Sequence, residues 1–403
     1  MKKSMIVAAM LAMVATGANA KSATDSATIA KNKPVFTVVK QNPITSIKDQ
    51  NRSGTCWAYS TLSYFESEIL KHTGKTYDLS EMFVANKTYM DRATMAVRMH
   101  GDVSFSQGGS AYDVLYALQH YGIVPEGAMP APGTLTGDSL ANFGEFFDVM
   151  TPYVEAVAKS NAKKISSAWK SGLQGIIDSY IGKTPEKFTY QGKQYTPQSF
   201  CQSLGLNLDD YVTITSYTHH PMWSKFAVEV QDNWRWPLSY NVPMEDICKI
   251  IDNAVNNGYT VAWGGDVTED GFTRKGLGIA YDVKKVRSMA GTDADHWFKL
   301  SKDEKKEKFD SLGVNAPEIV PTQAMRQEAF DNWETTDDHG MHIYGIAKDQ
   351  NGKEYYMVKN SWGEYGDYKG TWYMTKAFVA YKTMDFMVNK NAIPKDIRKK
   401  LGI

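Results

Sequence analysis

Asp49-Gln50-Asn51-Arg52-Ser53-Gly54-Thr55-Cys56-Trp57-Ala58-Tyr59-Ser60 places one cysteine where a Gly-containing loop turns into a helix. From there Trp57, Leu62, Phe65, Ile69 and Leu70 recur at three- and four-residue steps as far as Lys71, and Gly74 follows as a stop signal. A thiol in the first turn of a helix faces backbone N–H groups that lack intrahelical partners and the positive end of the helix dipole. That setting is expected to lower its pKa from the ordinary value of about 8.5. A free cysteine also serves commonly as a small buried hydrophobe, and this segment alone leaves both readings open.

Two later segments supply the complement: Asp338-His339-Gly340-Met341-His342-Ile343-Tyr344-Gly345 and Lys359-Asn360-Ser361-Trp362-Gly363. With the first segment they resemble papain-type cysteine peptidases, in which the catalytic His opens a strand with a Gly six residues on and Asn-Ser-Trp-Gly follows the next strand. His339 stands six residues before Gly345 and His342 only three, so the resemblance selects His339 and leaves His342 as a strand residue. Gln50 precedes Cys56 by six residues, again the family's spacing.

The resemblance implies an α+β fold, papain-like and two-lobed, with the peptide held between the lobes. It casts Cys56 as the thiolate nucleophile and His339 as the imidazolium that later protonates the leaving amine. Asn360 would fix the ring, as in the Cys-His-Asn variant of the triad. The Gln50 amide and the Cys56 backbone N–H would stabilise the oxyanion, a contribution of about 2.7–4 kcal/mol per donor. Trp362 would shield the Asn360–His339 bond, with Trp57 in support. Gly108-Gly109 resembles the paired glycines of the family's substrate cleft, where a missing side chain lets the substrate backbone approach.

Spacing narrows the branch. Cys56 and His339 are 283 residues apart, against roughly 130–150 in papain. So long a separation resembles the bleomycin hydrolase and aminopeptidase C branch. Tyr121-Gly122-Ile123-Val124-Pro125, Trp263-Gly264-Gly265-Asp266-Val267 and Val388-Asn389-Lys390 resemble it as well. The implied plan is a helical lobe over 43–130, a large, mainly helical insertion over 131–258, a β-rich lobe over 259–390 and a short C-terminal tail over 391–403. The branch implies aminopeptidase action on peptide substrates and a homo-hexameric ring. Its members close the cleft with a C-terminal arm; here Ile393 to Ile403 resembles the approach to that arm, which looks missing or much shortened, so an endopeptidase or oligopeptidase with an open cleft is the alternative. A transglutaminase-like acyltransferase would normally carry Asp where Asn360 stands, and an inert peptide-binding relative would normally have lost one of Cys56, His339 and Gln50.

The rest of the chain bounds these expectations. Of 403 residues, 42% are hydrophobic and the aromatics include 10 Trp and 23 Tyr, enough for a sizeable core. Lys plus Arg equals Asp plus Glu at 45 each, so no overall field draws the protein to nucleic acid. Lys2 and Lys3, the apolar run from Met5 and Ala18-Asn19-Ala20 predict a signal peptide over 1–20, followed by an extended leader over 21–42. The protein is thus expected to be exported, to a periplasm or the medium, without stable membrane insertion. Cys201 and Cys248 read as two reduced core thiols, with a disulfide as the alternative. His219-His220 has no spaced ligand cluster beside it, so no metal is expected, and no cofactor is implied.

Overall fold

The computed structural model describes residues 32–133, 140–285, 301, 304, 309 and 311–403. The expected signal peptide, the first part of the leader and most of a solvated helix expected over 301–308 lie outside the described residues. The remainder of the leader is not free: it contains β1 (Thr37–Gln41), which pairs antiparallel with residues 345–348. The burial pattern of β1 is mostly exposed, so it carries no apolar alternation by which a sequence could reveal it.

The quoted segment folds as α1 (Cys56–Thr73), closed by Gly74 at φ 68°, whose N–H donates to the Leu70 carbonyl. Every residue from Trp57 to Ile69 is buried, the polar Glu66 and Glu68 included. Its helical spacing suggests one buried face, but α1 is enclosed all round, lying between a helical core and a sheet. On the helical side stand α2 (Glu81–Arg98), α3 (Ala111–His120), α4 (Gly144–Ala158), α5 (Ala168–Tyr180) and α6 (Pro197–Ser203). Ser80 caps α2 by accepting the Phe83 N–H at 3.1 Å. Leu62, Phe65, Phe83, Phe146 and Leu173 share the resulting apolar cluster. A small hairpin, β2 (Phe188–Tyr190) and β3 (Lys193–Tyr195), lays its aromatic rings on Phe200.

The other side is a large sheet. Its strands are β4 (Tyr211–Thr215), β5 (Lys225–Phe226), β6 (Ser239–Asn241), β7 (Val261–Gly265), β8 (Phe272–Thr273), β9 (Leu277–Gly278), β10 (His339–Lys348), β11 (Glu354–Lys359), β12 (Thr371–Thr375) and β13 (Thr383–Asn389). Among the described residues they run in the order β5-β6-β4-β13-β7-β10-β11-β12-β9-β8, with β1 joining β10. The spine from β4 to β12 is antiparallel throughout. Helices α7 (Met244–Asn256), α8 (Gln323–Asp331), α9 (Lys376–Lys382) and α10 (Lys395–Leu401) accompany it. The α7 and α10 residues Ile247, Ile251, Ile397 and Leu401 join Trp263 and Phe386 in a second apolar cluster.

The stretch 131–258 therefore divides. Its first half is helical apart from the hairpin, but β4, β5 and β6 return to the large sheet and α7 packs on it. A residue count between Cys56 and His339 cannot show which residues return. Cys201 and Cys248 are both free and belong to different surroundings: Cys201 Sγ lies 3.6 Å from the Leu118 carbonyl, Cys248 Sγ 3.7 Å from that of Lys376. Among the described residues no helix is long and apolar enough to cross a membrane.

What positions the site is the crossing of α1 and β10. A Cβ on Gly340 would lie 2.6 Å from Ser60 Oγ and 3.3 Å from the Cys56 carbonyl oxygen. Glycine is thus the one residue that lets the strand rest on the first turn of the helix without displacing it.

Candidate active site

Cys56 is the first residue of α1, so its N–H is one of the helix's orphan donors. His339 is the first residue of β10, paired with Gly265, and Asn360 follows β11. Residues distant in sequence therefore meet because α1 crosses the sheet where β10 begins. Cys56, His339, Gln50, Trp57, Gly108, Gly109 and Trp362 line one cleft of about 370 Å³. Asn360 stands behind His339 rather than on the cleft surface.

The His339 ring is held on one side only. Its Nε2 lies 2.7 Å from Asn360 Oδ1, which also accepts the Ser361 N–H at 2.8 Å. Two donors converging on one oxygen settle the orientation of the amide. They leave Asn360 Nδ2 buried with no hydrogen-bond partner among the described residues. Trp362 covers this bond, its ring centroid 4.9 Å from that of His339, and is itself braced edge-on by Trp372 at 5.5 Å. His339 Nδ1 remains as the ring nitrogen for a thiol. His342 lies three residues further along β10, fully buried, with Nδ1 2.9 Å from Ser63 Oγ.

Gln50 is docked against the same turn. Its backbone N–H donates to the Ser361 carbonyl at 2.8 Å, and Gly363 N–H donates to the Lys48 carbonyl at 3.1 Å, forming a bridge between loops 311 residues apart. Its side-chain oxygen accepts Ser361 Oγ–H at 2.6 Å, which fixes the amide and leaves Nε2 to face the cleft.

The charges in this cleft are costly alone. Burial pushes the Cys56 thiol up to about 12, and Asp337 and Asp232 add to the effect; the backbone N–H groups of Gly340 and Trp57 oppose it. Burial likewise pushes the His339 imidazolium down to about 4, against the pull of Asn360 and Asp338. The helix-terminal setting, expected to lower the thiol, is outweighed by desolvation. A thiolate here needs an imidazolium opposite it, and each charge is the other's main source of relief.

Gly108 and Gly109 do line the cleft, but the missing side chains make room for the protein itself. A Cβ on Gly108 would lie 1.8 Å from Asp232 Oδ2, and one on Gly109 2.9 Å from the Trp57 ring. The loop is pinned from beneath: Arg92 donates to the Ser104 and Gly108 carbonyls and pairs with Asp232 at 3.1 Å, while Trp57 Nε1 donates to the Gln107 carbonyl at 3.0 Å.

Sequence reasoning missed three acidic residues, Asp232, Asp337 and Asp385, all lining the cleft with Cys56. Asp337 makes no hydrogen bond or ion pair among the described residues, and burial beside Asp232 and Asp385 holds its carboxyl well above the usual range. Asp385 is pushed up to about 6 by burial, with Ser239 opposing. They come from three separate parts of the chain, and only the position of Asp337, two residues before His339, offered a signal. Among the described residues lining the cleft, none comes from 391–403; α10 lies instead on the sheet's far cluster.

A thiol at a helix N-terminus, an imidazole held by a carboxamide and an amide donor beside them, all at one cleft, define a cysteine peptidase. The comparisons with known proteins agree. The profile of the Peptidase C1-like family matches residues 2–402, and the chain belongs to that family. It is 23% identical over 397 residues to Aminopeptidase G of Lactobacillus delbrueckii subsp. lactis, covering 89% of this chain and 84% of that protein. It is also 23% identical to Aminopeptidase C of Lactobacillus helveticus, over 90% and 85% of the two chains. The fold matches the crystal structure of PepW from Lactobacillus rhamnosis with a TM-score of 0.66 at 19% identity, covering 94% of this chain and 86% of that one.

Proposed function

We propose that the protein is a cysteine aminopeptidase in which Cys56, His339, Asn360 and Gln50 carry out the chemistry. Cys56 Sγ attacks the scissile carbonyl carbon as its proton passes to His339 Nδ1, and the Cys56 N–H and Gln50 Nε2 receive the developing oxyanion. The C–N bond breaks, His339 gives its proton to the departing amine, and a thioester remains. Water then attacks the thioester with His339 taking its proton, releasing the acid and restoring the thiol. Helices α4 to α6 are read as the enlargement that separates nucleophile from histidine in this branch, and the start of the chain supports export.

The observation that carries the aminopeptidase reading is the acidic wall. Asp232, Asp337 and Asp385 share the cleft with Cys56, and Arg92, beneath the Gly108 loop, is engaged by Asp232. A half-buried acid with no hydrogen-bond or ion-pair partner among the described residues favours a cationic ligand, and a peptide's α-ammonium is such a group. The test compares fluorogenic aminoacyl amides with the same compounds blocked at the N-terminus, each with and without an epoxide thiol inhibitor. Inhibitor-sensitive cleavage of the free-amine substrates alone is expected. Comparable cleavage of blocked peptides would replace the reading with an endopeptidase, and no inhibitor-sensitive cleavage would reject the peptidase assignment.

A further inference from the structure

We propose that His219, His220 and Glu229 form a binding site for a divalent transition metal of the Zn2+ type, set on the outer side of one wall of the cleft. The two histidines are adjacent in a turn after β4, and the fold brings Glu229 to both of them. His219 Nε2 lies 3.0 Å from one Glu229 oxygen and His220 Nε2 3.0 Å from the other. All three donor atoms lie within 4.8 Å of one another. Two imidazoles and one carboxylate are the donor set of open, three-ligand zinc sites, which keep a fourth position for water. Each Nε2–H now points at the carboxylate; a single cation among the three would replace both protons.

The rings are placed before any metal arrives. His219 stacks on Phe330 at 5.7 Å and 14°, and His220 on Phe226 at 4.2 Å and 20°. Behind His219, Gln327 Nε2 donates to Nδ1 at 3.0 Å, and the Gln327 carboxamide oxygen lies 3.4 Å away. Gln327 can therefore serve either tautomer, including the one with a proton on Nδ1 that metal at Nε2 requires. Orientation of a ligand histidine through its second nitrogen is the usual support of a metal site.

The site adjoins the cleft through Glu229's neighbours. Val228 and Val230 line the cleft, and Val228 belongs to a small separate core with Tyr217 and Phe226. A metal joining the turn at 219–220 to residue 229 would close this loop across its own core and hold that wall in one position. Substrate entry is thereby linked to metal supply.

The experiment titrates Zn2+ calorimetrically into the full-length Cys56→Ala protein, so that the cleft thiol does not compete. One Zn2+ per chain is expected, with a rise in Tm on binding. Adding His220→Ala or Glu229→Gln should weaken binding by at least about tenfold and abolish the Tm rise, while the metal-free Tm stays unchanged. Absence of saturable binding, or affinity unchanged by both substitutions, would overturn the proposal. Because the thiol is absent, the result stands apart from the peptidase reading.

Discussion

Two groups of ionisable side chains share Ser60 and Gly340 as their common wall, and they are treated in opposite ways. Behind that wall, Lys48 Nζ meets the Leu79 carbonyl at 3.0 Å, Glu81 at 2.8 Å and Asp78 at 2.6 Å. Glu66 accepts Thr45 Oγ1–H at 2.5 Å and the Leu79 N–H at 2.8 Å, and Lys359 Nζ reaches Thr45 at 3.1 Å. In front of it, Asp337 makes no hydrogen bond or ion pair among the described residues and stands beside Asp232, Asp338, Asp385 and the thiol. Saturated charge of the first kind holds a structure in register; an unpaired acid of the second kind, whose ionisation a cation would favour, is held ready for a ligand. The difference separates framework from chemistry more sharply than burial does, since each group mixes enclosed and partly exposed side chains.

The comparison can be broken at several points. Cys56→Ala should lower turnover by about 10⁶-fold while circular dichroism stays native; measurable residual hydrolysis would move the nucleophile elsewhere. Glu66→Ala leaves Lys48 short of an acid and orphans the Leu79 N–H, so denaturant unfolding should show a loss of about 3–5 kcal/mol. A loss under about 1 kcal/mol would remove the framework half of the contrast. Gln50→Ala should reduce kcat by about 10²–10³-fold with little change in KM; a pure KM effect would make Gln50 a substrate-binding group instead. Asp337→Asn should raise KM about tenfold for free-amine substrates and leave blocked ones unaffected, a shift of about 1.4 kcal/mol.

The smallest effect concerns pH. Burial raises the Asp385 carboxyl to about 6, so it is ionised above that pH and neutral below it. Its attraction for an α-ammonium is present above pH 6 and lost as the pH falls through it. The kcat/KM for free-amine substrates should accordingly decline a few-fold on that acid limb, and Asp385→Asn should flatten it. A limb unchanged by the substitution would assign it to another group.

Much of this frame is legible in the chain itself. α1 runs from Cys56 as its periodicity requires, and β11 (Glu354–Lys359) and β12 (Thr371–Thr375) fall in the expected β-rich lobe, with Gly and Asx turns at their ends. β13 is hidden because six of its seven residues are buried, which erases the alternation that reveals a half-exposed strand. The motif residues are legible because each sits beside its own spacing marker. The acidic wall is not, since Asp232, Asp337 and Asp385 meet only after the chain has crossed the sheet. Nor could sequence weigh burial against the helix dipole at Cys56, a balance that depends on what covers the thiol.

The pairing of β1 with β10 has a consequence in time. Thr37 is partnered by Lys348, and the Asn42 side chain by the Val255 and Tyr259 carbonyls, so the first described strand waits for residues made some 200 to 300 positions later. Contacts of such separation form late and slowly. During synthesis α1 emerges early, yet the strand that carries His339 and covers the helix emerges near the end. The nascent chain therefore holds an apolar helix and a thiol without an imidazole, a state that invites chaperone attention and is incapable of hydrolysis. Activity in this design is the last property the chain acquires.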